Sequence, residues 1–239
     1  MTDYRRCNVE AHCLQYEGLG SSRTGVKLTK DSNGLLEYSE PAVWVTTGGF
    51  TAGGFVNVGV RPESGDNVAI LARDVIISSV SCIELQRIPF ACALSNFQAE
   101  ATLPLSCLMT VQPMRPGSNG EPEPIPNAAA QTFDFTPQGN LEYSLFPFSI
   151  LAKMKVADIN IAPAKMFKIS FISADTATVS GAVGRLPSFL QQKFFAIFGN
   201  VGNIVVDGVA DSIKYKVSTC DASTALHKRT EQVDTMRLP

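Results

Sequence analysis

The two histidines, His12 and His227, are the first residues to weigh, because a Ser-His-Asp or Cys-His site needs one as its base. Each stands in a polar segment near one end of the chain, apart from the regular apolar pattern. No Gly-x-Ser-x-Gly sequence supplies a nucleophile elbow. Cys7, His12 and Cys13 form a metal-like group, but adjacent His12 and Cys13 lack zinc-site spacing and no second pair follows. The glycines Gly48, Gly49, Gly53 and Gly54 have no nearby lysine and precede no helical pattern, so they read as a turn rather than a phosphate cradle. Glu121 and Glu123 lie in a proline-rich stretch where acids are solvated. Asp207 and Asp211 read as turn formers around an expected hairpin turn at Asp207-Gly208. The expectation is a protein that is not an enzyme, with no catalytic, cofactor-binding or metal-binding residue and no cofactor.

The elements behind those residues are strands. Apolar-polar alternation recurs from Ala42 to Ser218. Val56, Val58 and Val60 share one face. Residues 67–86 read as two strands broken near Arg73-Asp74, with Ile77, Ser79, Ser81, Ile83 and Leu85 in period-two register. A separate short run follows over residues 90–97. In residues 103–111, Leu103, Leu105, Cys107, Met109 and Val111 point one way, and Pro104, Ser106, Thr110 and Gln112 mostly the other. Residues 113–127 read as the longest loop, because proline cannot donate to a ladder. Residues 132–136, 141–146, 156–161, 166–173, 203–206 and 211–218 read as further strands, and residues 186–198 as either a short helix or a strand. Turn signals about every ten residues and the lack of helical patterns between strands predict an all-β fold. The expected architecture is an antiparallel β-sandwich of jelly-roll type with about ten short strands and little helix. Residues 1–34 are expected to form a polar arm, 35–220 the sandwich and 221–239 a polar tail, with flexible ends. Leu105, Cys107, Met109, Ile213, Tyr215 and Val217 are the predicted core.

Charged residues are only 18% of the chain, below the share of an ordinary soluble domain, while apolar residues are 45%. Such an outside is weakly hydrated and suits burial against other subunits. The net charge is -2 and no long basic run exists, so binding of nucleic acid by counterion release is not indicated. Arg5-Arg6 and His227-Lys228-Arg229 read as solvated charges. The polar start lacks the apolar region of a secretory leader, and no apolar run approaches the length of a membrane span. A cytosolic life follows as the expectation. Of the six cysteines, Cys82, Cys92 and Cys107 fall in apolar runs and are expected to be reduced and buried, whereas Cys7, Cys13 and Cys220 lie elsewhere.

A polar arm, closely spaced strands and a final strand reading Ser212-Ile213-Lys214-Tyr215-Lys216-Val217-Ser218 together resemble a viral single jelly-roll coat subunit. The resemblance covers residues 40–219 and carries no specific motif. It implies self-assembly into an oligomer or shell, viral nucleic acid as a weak partner, no small-molecule substrate, and a place in the host cytoplasm and the virion. The stretch from Leu141 through Glu142, Tyr143, Ser144, Leu145 and Phe146 to Pro147 is similar to the β-rich core of plant-virus cell-to-cell movement proteins, which bind RNA. A viral matrix protein and a non-viral β-sandwich binding module stay open beside these.

Overall fold

A computed structural model describes residues 12–19, 26–31, 34–39, 42–46, 60–63, 67–95, 101–137, 142–144, 149–173, 188, 191–192 and 206–220. The chain is all-β and mostly antiparallel, with seventeen strands among the described residues rather than the expected ten. Short pieces such as β2 (Val26–Lys27), β3 (Leu36–Tyr38) and β5 (Val60–Arg61) account for much of the excess, because pairs of residues carry no readable period. Among the described residues, no helix is long and apolar enough to cross a membrane.

The organising element is β7 (Asp74–Ser95), a strand of 22 residues. It merges two runs that the alternation separates, because residues 88–93 are buried on both faces and lose the period-two signal. The break near Arg73 does occur, between β6 (Asn67–Leu71) and β7. Both edges of β7 are occupied. Along one edge run β15 (Ala164–Ser173), β14 (Lys155–Asp158) and β8 (Ala101–Pro104). Along the other run β3, β17 (Ser212–Val217) and β16 (Val206–Ala210). All six partners are antiparallel to it. Beyond β15 lies β9 (Cys107–Pro116), and beyond β16 lie β6, β4 (Ala42–Thr46) and β2.

The strand is not straight. Gly208 of β16 pairs with both Leu71 and Cys92, so the chain just before β7 and the far end of β7 flank one residue. Between Ser78 and Ile83 the register against β15 slips, and Val80 and Ser81 bulge outward. Folding the sheet over brings Phe171 of β15, whose N–H donates to Arg73 O at 2.7 Å, against the backbone of Gly208. The Phe171 ring lies where a Cβ on that residue would stand. Glycine is therefore needed at 208 for close approach, not for a turn.

That geometry corrects the reading of Asp207-Gly208 as a hairpin turn. The chain runs on from β16 into β17 along the edge of β7, with a bend at Asp211 whose N–H donates to Pro89 O at 3.2 Å. The proline-rich segment is likewise not simply a loop. β9 continues to Pro116 and returns as β10 (Pro122–Pro124) through a turn at Gly117–Gly120, with Gly120 at φ 84°. Pro122 and Pro124 are tolerated because β10 lies at a sheet edge, where a missing N–H costs no ladder bond. β11 (Gln131–Phe135) pairs with the first half of β9. β1 (His12–Gln15) pairs with β17, and Tyr16 and Leu28 are buried. Much of the segment read as an arm is thus built into the domain. β13 (Ser149–Lys153), which the alternation does not show, pairs with β12 (Glu142–Ser144) and, in parallel, with β5. Most of 186–198, residues 1–11 and the tail after 220 lie outside the described residues, as do Val56 and Val58.

The core contains Leu105, Cys107, Met109, Ile213 and Tyr215 as expected. Val217 is the exception, 46% exposed, because β17 passes out of the core at its end. The alternation of Ile77, Ser79, Ser81, Ile83 and Leu85 is broken by the bulge, leaving Ser81 exposed. Pro104, expected to face outward, is buried.

The thiol expectation is also corrected. Cys92 is joined to Cys107 and Cys82 to Cys220, with Cα separations of 6.1 and 5.5 Å, both within disulfide range. Tertiary pairing creates these neighbours. Leu105 N donates to Cys92 O, which brings the start of β9 beside β7, and Ser218 N donates to Cys82 O, which brings Cys220 near.

Gly208→Ala should destabilise the protein by about 1–3 kcal/mol or more, since the methyl group must displace a fully buried ring. The urea midpoint measures this. Restoring space with Phe171→Leu in the same chain should recover part of the loss, and a neutral Gly208→Ala would contradict the packing.

Candidate functional site

Two arrangements merit a chemical reading: a buried polar cluster and one outward sheet face. The cluster begins with Asp31, which opens a tight turn. Gly34 N donates to Asp31 O at 3.1 Å, and Gly34 takes φ 68°. The Asp31 side chain closes the turn, with Oδ1 accepting from Leu35 N at 2.7 Å and from Leu36 N at 3.1 Å. Its other oxygen, Oδ2, is buried with no hydrogen-bond partner among the described residues. Burial pushes the carboxyl above its ordinary range, against the lowering effect of the backbone N–H groups.

Around this turn stand three phenols. Tyr16, from the 3-10 turn Tyr16–Leu19, and Tyr38, from β3, share a hydrogen bond of 3.3 Å between their hydroxyls. Tyr215 comes from β17. Asn67 of β6 donates from Nδ2 to Tyr16 O at 2.9 Å and accepts from Thr46 Oγ1 at 2.7 Å, which ties the 3-10 turn to β6 and β4. Burial raises all three phenols, Tyr215 to about 12, and the negative charge of Asp31 adds to each. At neutral pH they stay protonated and act as hydrogen-bonding groups, not as bases. The arrangement ties strands together.

The residues singled out by type fall elsewhere. His12 pairs across from Tyr215 and Cys13 from Lys214 in the β1–β17 ladder, so they serve as strand positions. Cys7, His227 and the glycines at 48, 49, 53 and 54 lie outside the described residues. Glu123 forms a 2.6 Å ion pair with Arg115 across the β9–β10 hairpin, while Glu121 is exposed. Asp207 and Asp211 are buried, at 0% and 2% exposure, rather than set on a surface turn. Among the described residues, no three His, Cys, Asp or Glu side chains gather as a metal site. The phenol cluster escapes the sequence because its members are far apart in the chain, and Asp31-Ser32-Asn33-Gly34 shows only its turn chemistry.

The outward face runs across β11, β9, β15 and the start of β7. Cys107, Met109 and Val111 of β9 and Phe167, Ile169 and Phe171 of β15 point inward. The intervening residues therefore point out, and Leu108 sits directly opposite Ile172, 44% and 49% exposed. Beside them are the pairs Thr110–Ser170 and Thr110–Thr132, the latter with hydroxyls 3.1 Å apart. The charges here neutralise one another: Lys168 with Asp74 at 3.1 Å, and Asp134 with Lys155 at 2.8 Å. The Ser170 hydroxyl, donating at 2.7 Å, and then Lys168 hold the Asp74 carboxyl below its ordinary range.

The two aspartates should respond to pH in opposite senses. Asp31 has a raised folded pKa, so its contribution is full below the unfolded value near 3.8 and is lost as pH rises through the folded value. Asp74 has a lowered folded pKa, so its contribution is present above 3.8 and is lost as pH falls through the folded value. Asp31→Asn keeps an acceptor for Leu35 and Leu36 and removes the charge. Relative to this variant, the native protein should lose stability as pH rises from 3.8 through the raised folded value. Urea midpoints across that range measure the difference, and a pH-independent gap would contradict the burial of this carboxyl.

No family model, curated protein or solved structure matches this chain.

Proposed function

We propose that the protein is a self-assembling structural subunit, a β-sandwich of jelly-roll type like the coat subunits it resembles, and that it has no catalytic role. The observation that carries this reading is the outward face of β11, β9 and β15. It presents paired Leu108 and Ile172, a row of hydroxyls, and charges that are already neutralised by neighbours. Little desolvation opposes covering such a face, and apolar area buried there contributes about 25 cal/mol per Å². A specific contact should cover at least about 1,000 Å² in total. The folding over of β7, which sets Phe171 against Gly208, supports the sandwich.

The two cross-links add a second line of support. Disulfides persist on virions and outside cells and are rare in a reducing cytosol. A coat leaves the cell in which it is made, whereas a movement protein does not, so the cross-links favour the coat reading over the movement reading. The viral origin and the weak contact with nucleic acid stand as part of the same proposal.

Leu108→Lys combined with Ile172→Lys places two charges on this face without touching the core. The variant should fold with an unchanged urea midpoint to within about 1 kcal/mol, as exposed substitutions do. It should fail to form the particles that the native chain forms, as seen by light scattering and negative-stain microscopy. A native protein that stays monomeric at high concentration, with and without RNA, would sink the proposal. RNA binding by that monomer would return the movement reading.

A further inference from the structure

We propose that the Cys82–Cys220 disulfide is a clasp that thiol reductants open in the folded protein, freeing the end of β17 from β7, while Cys92–Cys107 stays closed. The inference does not depend on the assembly reading. It rests on the unequal placement of the two cross-links. Cys92 and Cys107 are 0% and 3% exposed and belong to the central core cluster. Cys82 is nearly as buried, but its partner Cys220 is exposed, two residues past Ser218. Thiol exchange requires a thiolate to reach a disulfide sulfur, so access separates the two bonds.

The bond sits where the fold is least committed. Val217 is half exposed, and Val80 and Ser81 bulge into solvent beside Cys82. Past the pairing of Val217 with Ile83, one backbone hydrogen bond continues the ladder, Ser218 N to Cys82 O at 2.8 Å. With the sulfur bond closed, Cys220 is held to β7 with its Cα 5.5 Å from that of Cys82. With it open, that hydrogen bond and the exposed Val217 are left to hold the end. By contrast, Cys92 lies in the stretch of β7 that is buried on both faces and flanked by β8 and β16.

The reductant is a small monothiol of the glutathione class. Its thiolate attacks the Cys220 sulfur, the S–S bond breaks, and Cys82 leaves with the electron pair and takes up a proton. A second thiolate attacks the mixed disulfide at the small-molecule sulfur and releases Cys220 as a thiolate. Two monothiols are oxidised to one disulfide while one protein disulfide is reduced to two thiols.

The test uses the full chain purified without reductant. It is treated with millimolar glutathione, alkylated and mapped by peptide mass, with amide hydrogen exchange followed in parallel. The expected result is alkylation of Cys82 and Cys220 in the native state and of Cys92 and Cys107 only after denaturation. Exchange at Ser218 should quicken by on the order of tenfold, with β9 and β15 unchanged. Cys220→Ser, an exposed substitution, should show the faster exchange without reductant. Opening of both bonds at equal rates overturns the proposal. So does resistance of Cys82–Cys220 to native reduction, its absence from the oxidised protein, or unchanged exchange at Ser218 after it opens.

Discussion

The fold depends on a single strand that is hydrogen-bonded along both edges and bent in the middle. A strand of 22 residues would extend about 70 Å if straight, longer than a domain of this size can accommodate. β7 meets that constraint by slipping register between Ser78 and Ile83, so that its two ends serve different parts of the sheet. Each half then recruits its own neighbours: β3, β15 and β9 near its start, and β8, β16, β6 and β4 near its end. The strands beside it follow its course. Residues 155–173 run antiparallel along one edge and residues 206–217 along the other. Pairing at one point of β7 thereby fixes register at the next.

A sheet folded over in this way needs contacts between parts distant in sequence, and the chain supplies three kinds. The apolar contact is Phe171 on Gly208, which sets how closely β15 and β16 approach. The polar contact is the group of Tyr16, Tyr38, Asn67 and Thr46, which joins the 3-10 turn, β3, β6 and β4 through hydrogen bonds that cost little because both partners of each bond are paired. The covalent contacts among the described residues are the disulfides Cys92–Cys107 and Cys82–Cys220. Cys92–Cys107 closes 15 residues and, on loop entropy, contributes about 3 kcal/mol. Cys82–Cys220 spans 138 residues, so it restrains far more of the unfolded chain through a bond at the margin of the folded one.

Sequence reading reached as far as local period allows. The all-β class, the inward faces of β9 and β15, and the buried Ile213 and Tyr215 all follow from alternation over five or more residues. Three things were not legible. Where burial is two-sided, as at residues 88–93, alternation vanishes and one strand looks like two. Where a turn dipeptide sits inside a strand, as Asp207-Gly208 does, local chemistry points to a turn while the approach of Phe171 explains the glycine. Where partners are far apart, as Tyr16 is from Tyr38 and Cys82 from Cys220, only tertiary pairing makes them neighbours. The outward pair Leu108 and Ile172 was half legible. Its strand register could be read, but its pairing across β9 and β15 could not.

These constraints bear on function through what they leave unused. The buried phenols are held protonated, Asp31, Asp207 and Asp211 are sealed inside, and Asp74, Asp134 and Glu123 stand in ion pairs along sheet edges and faces. Tyr16, Tyr38, Asn67 and Thr46 are thus committed to holding strands. On the outward face of β11, β9 and β15, Leu108 and Ile172 stay exposed. The register of that face is imposed from behind by Met109, Val111, Ile169 and Phe171, so the positions of Leu108 and Ile172 are set before any partner arrives. A face ordered by the core beneath it loses little conformational entropy on being covered. In the assembly proposed above, that preorganisation would lower the entropic cost of each contact.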